Sequence, residues 1–389
     1  MKNTGIRGPY VRLLKIESLD QEEVMEEKVI EIPVADAVSG IKKTGLRATV
    51  LALSALAVLM LGGCGKSNRL YIYNWTYYTP DSVIEKFEEE YNVTVIYDEF
   101  ASNEDMYAKL KAGGSGYDIV FPSADYVSIM IHQNMLEKID KSKIPNLKNV
   151  DPAVLKKTFY DPDMEYSVPY YYGAAGITVN TAKVPNFGQS WSIFSRSDLQ
   201  GRMTMLDDMR EVMGGALTFL GYSVNTVDPA EIIQARNLIN DVWKPNLTKF
   251  DAEAFGKGYA NGDFWVVQGY PEVVFEEIAE NPQLIKDTVF FIPKEGGPSY
   301  IDSMCILKGA KNSDLAHKFI DFIHRPEIYA EFVDIFGFPA TANVPAREYK
   351  TGPAWYSADD LVNTELKIDL GNDLDLYNDA WFNSIRIGD

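Results

Sequence analysis

Cysteine and histidine are scarce: two and three residues respectively in a chain of 389. That is too few thiols and imidazoles for a zinc cluster, a dithiol redox motif or a disulfide framework, and the sequence points to no cofactor. Cys305 is expected to be a small buried hydrophobe. His132, His317 and His324 fall in segments with the pattern of amphipathic helices, where a surface or helix-end position is expected rather than catalysis. No internal repeat and no long polar or low-complexity tract is present, so the composition, 46% hydrophobic and 24% charged, is that of a globular chain. Its length suits two α/β domains beyond a leader.

Positive charge is also in short supply. Lys and Arg number 37 against 56 Asp and Glu, a formal charge of −19, and such a field repels phosphate and attracts cations. Nucleic acid is therefore excluded as a partner. Acidity for solubility alone is the plain alternative. Residues 1–63 carry eight basic and eight acidic residues, so the whole excess belongs to residues 64–389.

Residues 42–64 have the order of a secretory signal: Lys42, Lys43 and Arg47, then an apolar run from Ala48 to Leu61, then Leu61-Gly62-Gly63-Cys64. At about 14 residues the run is shorter than the roughly 20 that a transmembrane helix needs, which favours cleavage. The LGGC sequence resembles the lipobox of bacterial lipoproteins, in which the cysteine is lipidated and becomes the mature N-terminus. The alternative leaves Cys64 an ordinary thiol behind a signal-anchor. More than one acyl chain on Cys64 holds a protein at a membrane, with 64–68 as a short tether. Residues 1–40 are a mixed-charge stretch unlike the short basic start of a signal; an over-extended start site accounts for them.

Beyond the leader, Leu70–Tyr73 reads as a strand. Pro80 and Asp81 open a helix with Val83, Ile84, Phe87 and Tyr91 on one face, and Val93, Val95 and Tyr97 alternate as the next strand. Ser102 and Asn103 cap a second helix through Met106 and Leu110, which Gly113–Gly116 end, and Tyr117–Phe121 form another strand. The pattern predicts a parallel α/β sheet. The tyrosine-rich passage Pro169–Gly176 reads as a crossing to a second α/β set, with a strand at Arg202–Leu206 and helices at Arg210–Leu220 and Pro229–Val242. Val289–Pro293 and Tyr300–Leu307 read as the return.

Five motifs occur in order along this stretch: YNWTYYTP at 73–80, SNEDMYAKL at 102–110, YDIVFPS at 117–123, DDMREV at 207–212 and PKEGGPSYIDS at 293–303. Together they resemble the spermidine/putrescine-binding proteins of bacterial polyamine ABC transporters, from about Leu70 to Ala346. The resemblance implies an α/β fold of the periplasmic-binding-protein type (type II), with two lobes crossed by three segments and a ligand cleft between them that closes by a hinge motion. The first lobe is placed at 69–172 plus 301–346 and the second at 174–300 plus 347–389. It further implies an extracytoplasmic, monomeric receptor, which the lipobox-like LGGC sequence would anchor by lipid at Cys64. Such a receptor binds putrescine or spermidine and hands it to the permease subunits of an ABC importer.

A polyamine is a methylene chain carrying two to four ammonium groups, so its site needs spaced carboxylates and flat apolar walls. An aromatic face attracts an ammonium by about 0.5 to 2 kcal/mol and covers methylenes worth roughly 0.8 kcal/mol each when buried. By the family pattern Trp75 and Tyr78 form one wall, Tyr270 and Tyr300 the facing wall, and Phe338 caps one end. Asp302 pairs with an ammonium, Asp208 and Glu211 supply a second acidic pair, and Thr76 and Ser123 add hydroxyls. Asp208-Met209-Arg210-Glu211 is equally a capping box, satisfied by backbone groups. Asp125, Tyr300 and Phe338 depart from residues usual in relatives, tyrosine, tryptophan and tyrosine respectively. The departures leave the ligand's length and charge number open, and Asp125 is equally a solvated helix cap.

Two other readings use similar residues. A secreted glycosidase also employs paired carboxylates and aromatic platforms, but nothing marks one acid as proton donor. A binding protein of the same fold for a sugar or an anion is the other. An anion site would present Arg or a helix N-terminus, whereas the motif positions here are acidic. The expected function is therefore binding without catalysis.

Overall fold

The computed structural model describes residues 10–14, 29–33 and 68–387, except 77 and 115. The proposed lipidation site Cys64 and its signal lie outside the described residues. The chain divides into two compact units, Met1–Lys66 and Ser67–Asp389. In the first, β1 (Tyr10–Leu14) pairs antiparallel with β2 (Val29–Pro33).

The second unit is α/β with two sheets. Its first sheet opens with β3 (Arg69–Trp75), β4 (Thr94–Phe100) and β5 (Ile119–Val120), all parallel. The crossover helix Asp81–Tyr91 begins after Pro80 and buries Val83 and Phe87 one turn apart on the sheet. It ends at Asn92, whose φ of 50° is the left-handed turn that lets Val93 reverse direction at once. Ser102 caps the next helix, Asn103–Lys111, by accepting the Asp105 amide at 3.1 Å.

The chain then runs through β6 (Ser167–Ala174) into β7 (Gly176–Asn180), with Ala175 alone between them. The second sheet is completed by β8 (Met203–Met205), β9 (Leu247–Phe250), β10 (Val266–Gly269) and β11 (Thr288–Phe291), in the order β11-β7-β10-β8-β9. β12 (Pro298–Ile306) returns to the first sheet, antiparallel to β6 and β5, and β13 (Glu365–Leu366) pairs parallel with its first two residues. Every residue of β6 and of β12 is buried, as expected of strands covered on both faces.

Each sheet has its own apolar core, one around Phe87, Tyr170, Phe319 and Phe332, the other around Trp191, Met213, Trp243 and Trp381. The C-terminal helix Leu374–Ala380 adds Tyr377 and Ala380 to the second core. Three stretches of chain thus pass between the lobes: β6–β7, β11–β12, and the segment around β13.

The expected elements are present with shifted ends. The helix expected at Arg210–Leu220 spans Met209–Phe219; the one expected at Pro229–Val242 stops at Leu238 and continues as a π-helical turn, Ile239–Trp243. Cys305 is fully buried. His317 and His324 are buried too, His317 within its helix and His324 at the expected helix end. The Asp140 amide donates to His317 Nε2 at 2.9 Å, and burial pushes His324, which caps its helix, down to about 4. Among the described residues no helix is long and apolar enough to cross a membrane.

Candidate ligand-binding site

The chain leaves the carboxyl ends of β3 and β5 at Trp75 and at Phe121-Pro122-Ser123, and the ends of β8 and β10 at Leu206 and Tyr270. Crevices beyond the carboxyl ends of parallel strands are where open α/β sheets bind ligands. β12 brings Tyr300 and Asp302 to this place, two residues apart and so on one face of the strand.

Asp302 is the centre. The Tyr78 hydroxyl donates to its Oδ2 at 2.6 Å and the Ser123 hydroxyl to its Oδ1, also at 2.6 Å. An isolated antiparallel bridge pairs Ser123 with Asp302, and the β6–β12 register slips immediately after Asp302, the kind of local kink that re-aims a side chain. Asn103 steadies Ser123 from both sides: its Nδ2 donates to Ser123 Oγ at 3.0 Å and its Oδ1 accepts the Ser123 amide at 3.2 Å. Burial pushes the Asp302 carboxyl up to about 6, against the opposing effect of the two hydroxyl donors. No basic side chain forms an ion pair with it among the described residues.

Rings surround this carboxylate. Tyr270 meets Tyr300 edge-on at 5.8 Å, and Tyr78 meets Tyr171 at 6.5 Å. Gly173 lies opposite Tyr300 in the ladder, and a Cβ there would come within 2.7 Å of the Tyr300 hydroxyl oxygen, so the wall ring needs glycine behind it. Trp75 is half-buried, its indole N–H donated to the Phe121 carbonyl at 2.8 Å and its ring against Phe100 at 4.6 Å. Thr76 is exposed, with one long contact of 3.5 Å to the Phe100 carbonyl.

Phe338, the expected end cap, is in the aromatic core. It is fully buried, stacked on Tyr171 at 4.4 Å and packed among Phe332 and Phe336. It belongs to the same aromatic layer as Tyr171, whose ring in turn neighbours Tyr78 and Tyr300.

The acidic pair of the second lobe has divided its roles. Asp208 caps the helix Met209–Phe219, accepting the Glu211 amide at 3.0 Å. Glu211 does not return the bond. Its side chain is buried and its Oε1 accepts from Lys367 Nζ at 2.6 Å, while Oε2 is buried without a partner among the described residues. Burial alone would lower the Lys367 ammonium, but the carboxylates of Glu211, Asp208 and Asp125 outweigh it and hold it above the usual lysine range. Asp125 is half-buried, bonded to the next amide at 3.0 Å, and burial raises its carboxyl.

Reading the sequence missed two residues here. Glu272, in the first turn of the helix Pro271–Ile278, has a buried and unpartnered Oε2. Burial pushes its carboxyl up to about 8, with Asp302 adding like-charge repulsion. Its position two residues after Tyr270 was the signal that could have found it. Lys367 gave none, being one cation in an acidic tail.

The described residues hold no group of three or more His, Cys, Asp and Glu arranged to bind a metal. A surface cavity of about 440 Å³ opens elsewhere, lined by Arg202, Lys249, Asp251, Lys257 and Asp263. It contains none of the tyrosine–carboxylate cluster, and its Lys249 is already paired with Asp251 at 2.7 Å.

Residues 82–364 match the family described as bacterial extracellular solute-binding protein. The chain is 37% identical over 348 residues to the spermidine/putrescine-binding periplasmic protein of Escherichia coli K12, covering 87% of this chain and 98% of that one. It is 33% identical to the putrescine-binding periplasmic protein SpuD of Pseudomonas aeruginosa, over 81% of this chain and 90% of the relative. Among solved structures, the Tp0655 (TpPotD) lipoprotein of Treponema pallidum superposes with a TM-score of 0.79 at 54% identity, over 82% of this chain and 99% of that one. A putative spermidine/putrescine ABC transporter protein from Listeria monocytogenes gives 0.72 at 34%, over 82% and 99%. The chain belongs to the bacterial extracellular solute-binding protein family, and its fold is the two-lobe fold of periplasmic binding proteins.

Proposed function

We propose that this protein is an extracytoplasmic receptor that binds a polyamine in the cleft around Asp302 and presents it to the permease of an ABC importer. The observation that carries the reading is Asp302 itself: a buried carboxylate, gripped by two hydroxyls, walled by tyrosines and in no ion pair among the described residues. Burying a carboxylate without a counter-charge costs stability, so the arrangement makes sense for a site that a cation completes. The names of the relatives point to the same ligand class.

Binding without catalysis is part of the proposal, as are a monomeric state and attachment to the outer face of a membrane through lipidated Cys64, which rests on the LGGC sequence.

Calorimetric titration with putrescine, spermidine and spermine, using lysine and maltose as controls, tests the reading. Saturable heat is expected for at least one polyamine and none for maltose. Binding of a sugar, or of no amine, would overturn it. Incubation with oligosaccharides should yield no hydrolysis product.

A further inference from the structure

The Lys367 side chain is four methylenes ending in an ammonium, the same chemical arm that a polyamine offers. Its Nζ donates to Glu211 Oε1 at 2.6 Å, and both side chains are buried, with 10% and 0% of their surface exposed. We infer that Lys367 occupies an ammonium position of the cleft as a tethered aminobutyl group, so that the site accepts a diamine in preference to a triamine. This rests on the polyamine reading above and narrows it.

The tether is rigid. The Lys367 amide donates to the Ser299 carbonyl at 3.0 Å, extending the β12–β13 ladder three residues before Asp302. On its other side Asn225 donates to the Leu366 carbonyl at 2.9 Å and accepts the Ile368 amide at 3.1 Å, and Arg210 donates to the Ile368 carbonyl at 3.2 Å. Arg210 is itself held to Asn225 at 2.7 Å. The backbone on both sides of Lys367 is thus clamped between the first sheet and the Asp208–Glu211 end of the helix in the second lobe, and only the stem is free to point.

Charge counting gives the consequence. Asp208 is engaged as a helix cap, Glu211 is paired, and the field of Lys367 also reaches Asp125 and Asp302 without an ion pair to either. Asp302 and Glu272 have no ion-pair partner among the described residues and, unlike Asp208, cap no helix, so with Glu272 ionising as a cation arrives they offer two positions for two ammonium groups. A third ammonium would have to displace Lys367 from Glu211. Stability is a weak explanation of the pair, because replacing a buried ion pair by apolar residues of similar volume is often neutral or stabilising.

The test compares putrescine and spermidine by calorimetry on the wild type, Lys367→Met, and the double variant Glu211→Gln/Lys367→Met. The wild type should bind putrescine at least tenfold more tightly than spermidine. Lys367→Met, which keeps the stem and frees Glu211, should move that ratio at least tenfold toward spermidine; the double variant, with no carboxylate to receive the third ammonium, should lose most of the shift. Equal or tighter spermidine binding by the wild type, or an unmoved ratio in Lys367→Met, overturns the inference. Should Lys367→Met fail to fold around its unpaired carboxylate, Lys367→Gln keeps a donor for Glu211 and carries the same comparison. Failure of the wild type to bind any amine would remove the receptor reading and this inference together, whereas binding with an unmoved ratio removes only the role of Lys367.

Discussion

Tyr78 and Asp302 stand 224 residues apart in the chain and meet through a hydroxyl–carboxylate hydrogen bond of 2.6 Å. The tyrosine comes from the loop after β3 and the aspartate from the middle of β12, so the bond ties the first strand of its lobe to the strand that returns from the other lobe. Its partner bond from Ser123 occupies the second oxygen. Both donors favour the ionised carboxylate while burial opposes it, and the balance leaves Asp302 near 6.

That balance sets the pH dependence of binding. A cation requires Asp302 ionised, so below about pH 6 polyamine affinity should fall by a further tenfold per unit, on top of the fall of up to about tenfold per unit that the ionisation of Glu272 imposes below about pH 8. Tyr78→Phe removes one stabilising donor. The acid limb should then move to higher pH, with a several-fold loss of affinity at neutral pH, as measured by titrations across pH. An unmoved limb would show that the hydroxyl does not tune the carboxylate.

Stability without ligand should run the other way. A carboxyl raised on folding, from 3.8 to about 6, binds more protons in the folded state, so its contribution is greatest below the unfolded value and is lost as pH rises through the folded one. Asp302 should cost about 3 kcal/mol across that window. The stability of Asp302→Asn relative to wild type should therefore improve between acid and pH 8 in denaturant melts, while its polyamine affinity at pH 8 drops more than tenfold. A stability difference independent of pH would contradict the raised carboxyl.

Glu272 gives a proton signature. With its carboxyl near 8 it is largely protonated at neutral pH, and an arriving ammonium should ionise it, releasing up to about one proton. The slope of binding enthalpy against buffer ionisation enthalpy measures that release. In Glu272→Gln the slope should fall close to zero and affinity should weaken by about tenfold or more; an unchanged slope would assign the proton elsewhere.

Trp75 separates packing from recognition. It is only half-buried, with Phe100 as its ring neighbour, so Trp75→Ala should cost at least tenfold in affinity and little in melting temperature. A fall of more than about 8 °C, corresponding to roughly 5 kcal/mol at about 2.1 cal/mol/K per residue, would instead make it a core residue.

How much of this is legible in the sequence differs between elements. The first βαβ unit is plain because Val83 and Phe87 repeat at helical spacing and Val93, Val95 and Tyr97 alternate, patterns set within a dozen residues. Trp75, Tyr78, Ser123, Tyr270, Tyr300 and Asp302 all stand out from motifs, and all of these but Trp75 are joined in one cluster by hydrogen bonds and ring contacts. Phe338 stands out too, and it is stacked on Tyr171.

The sequence alone determined the acidic excess, the α/β alternation, the signal-like segment ending at Cys64 and the set of carboxylates and rings from which a cation site is built. Only the tertiary structure decided how those groups are shared: Asp302 to two hydroxyls, Asp208 to a helix end, Glu211 to a lysine 156 residues away. Helix and strand periodicity are local properties of the chain. The pairing of a charge depends on strand register and on which lobe the C-terminal segment docks against, and no local pattern encodes either.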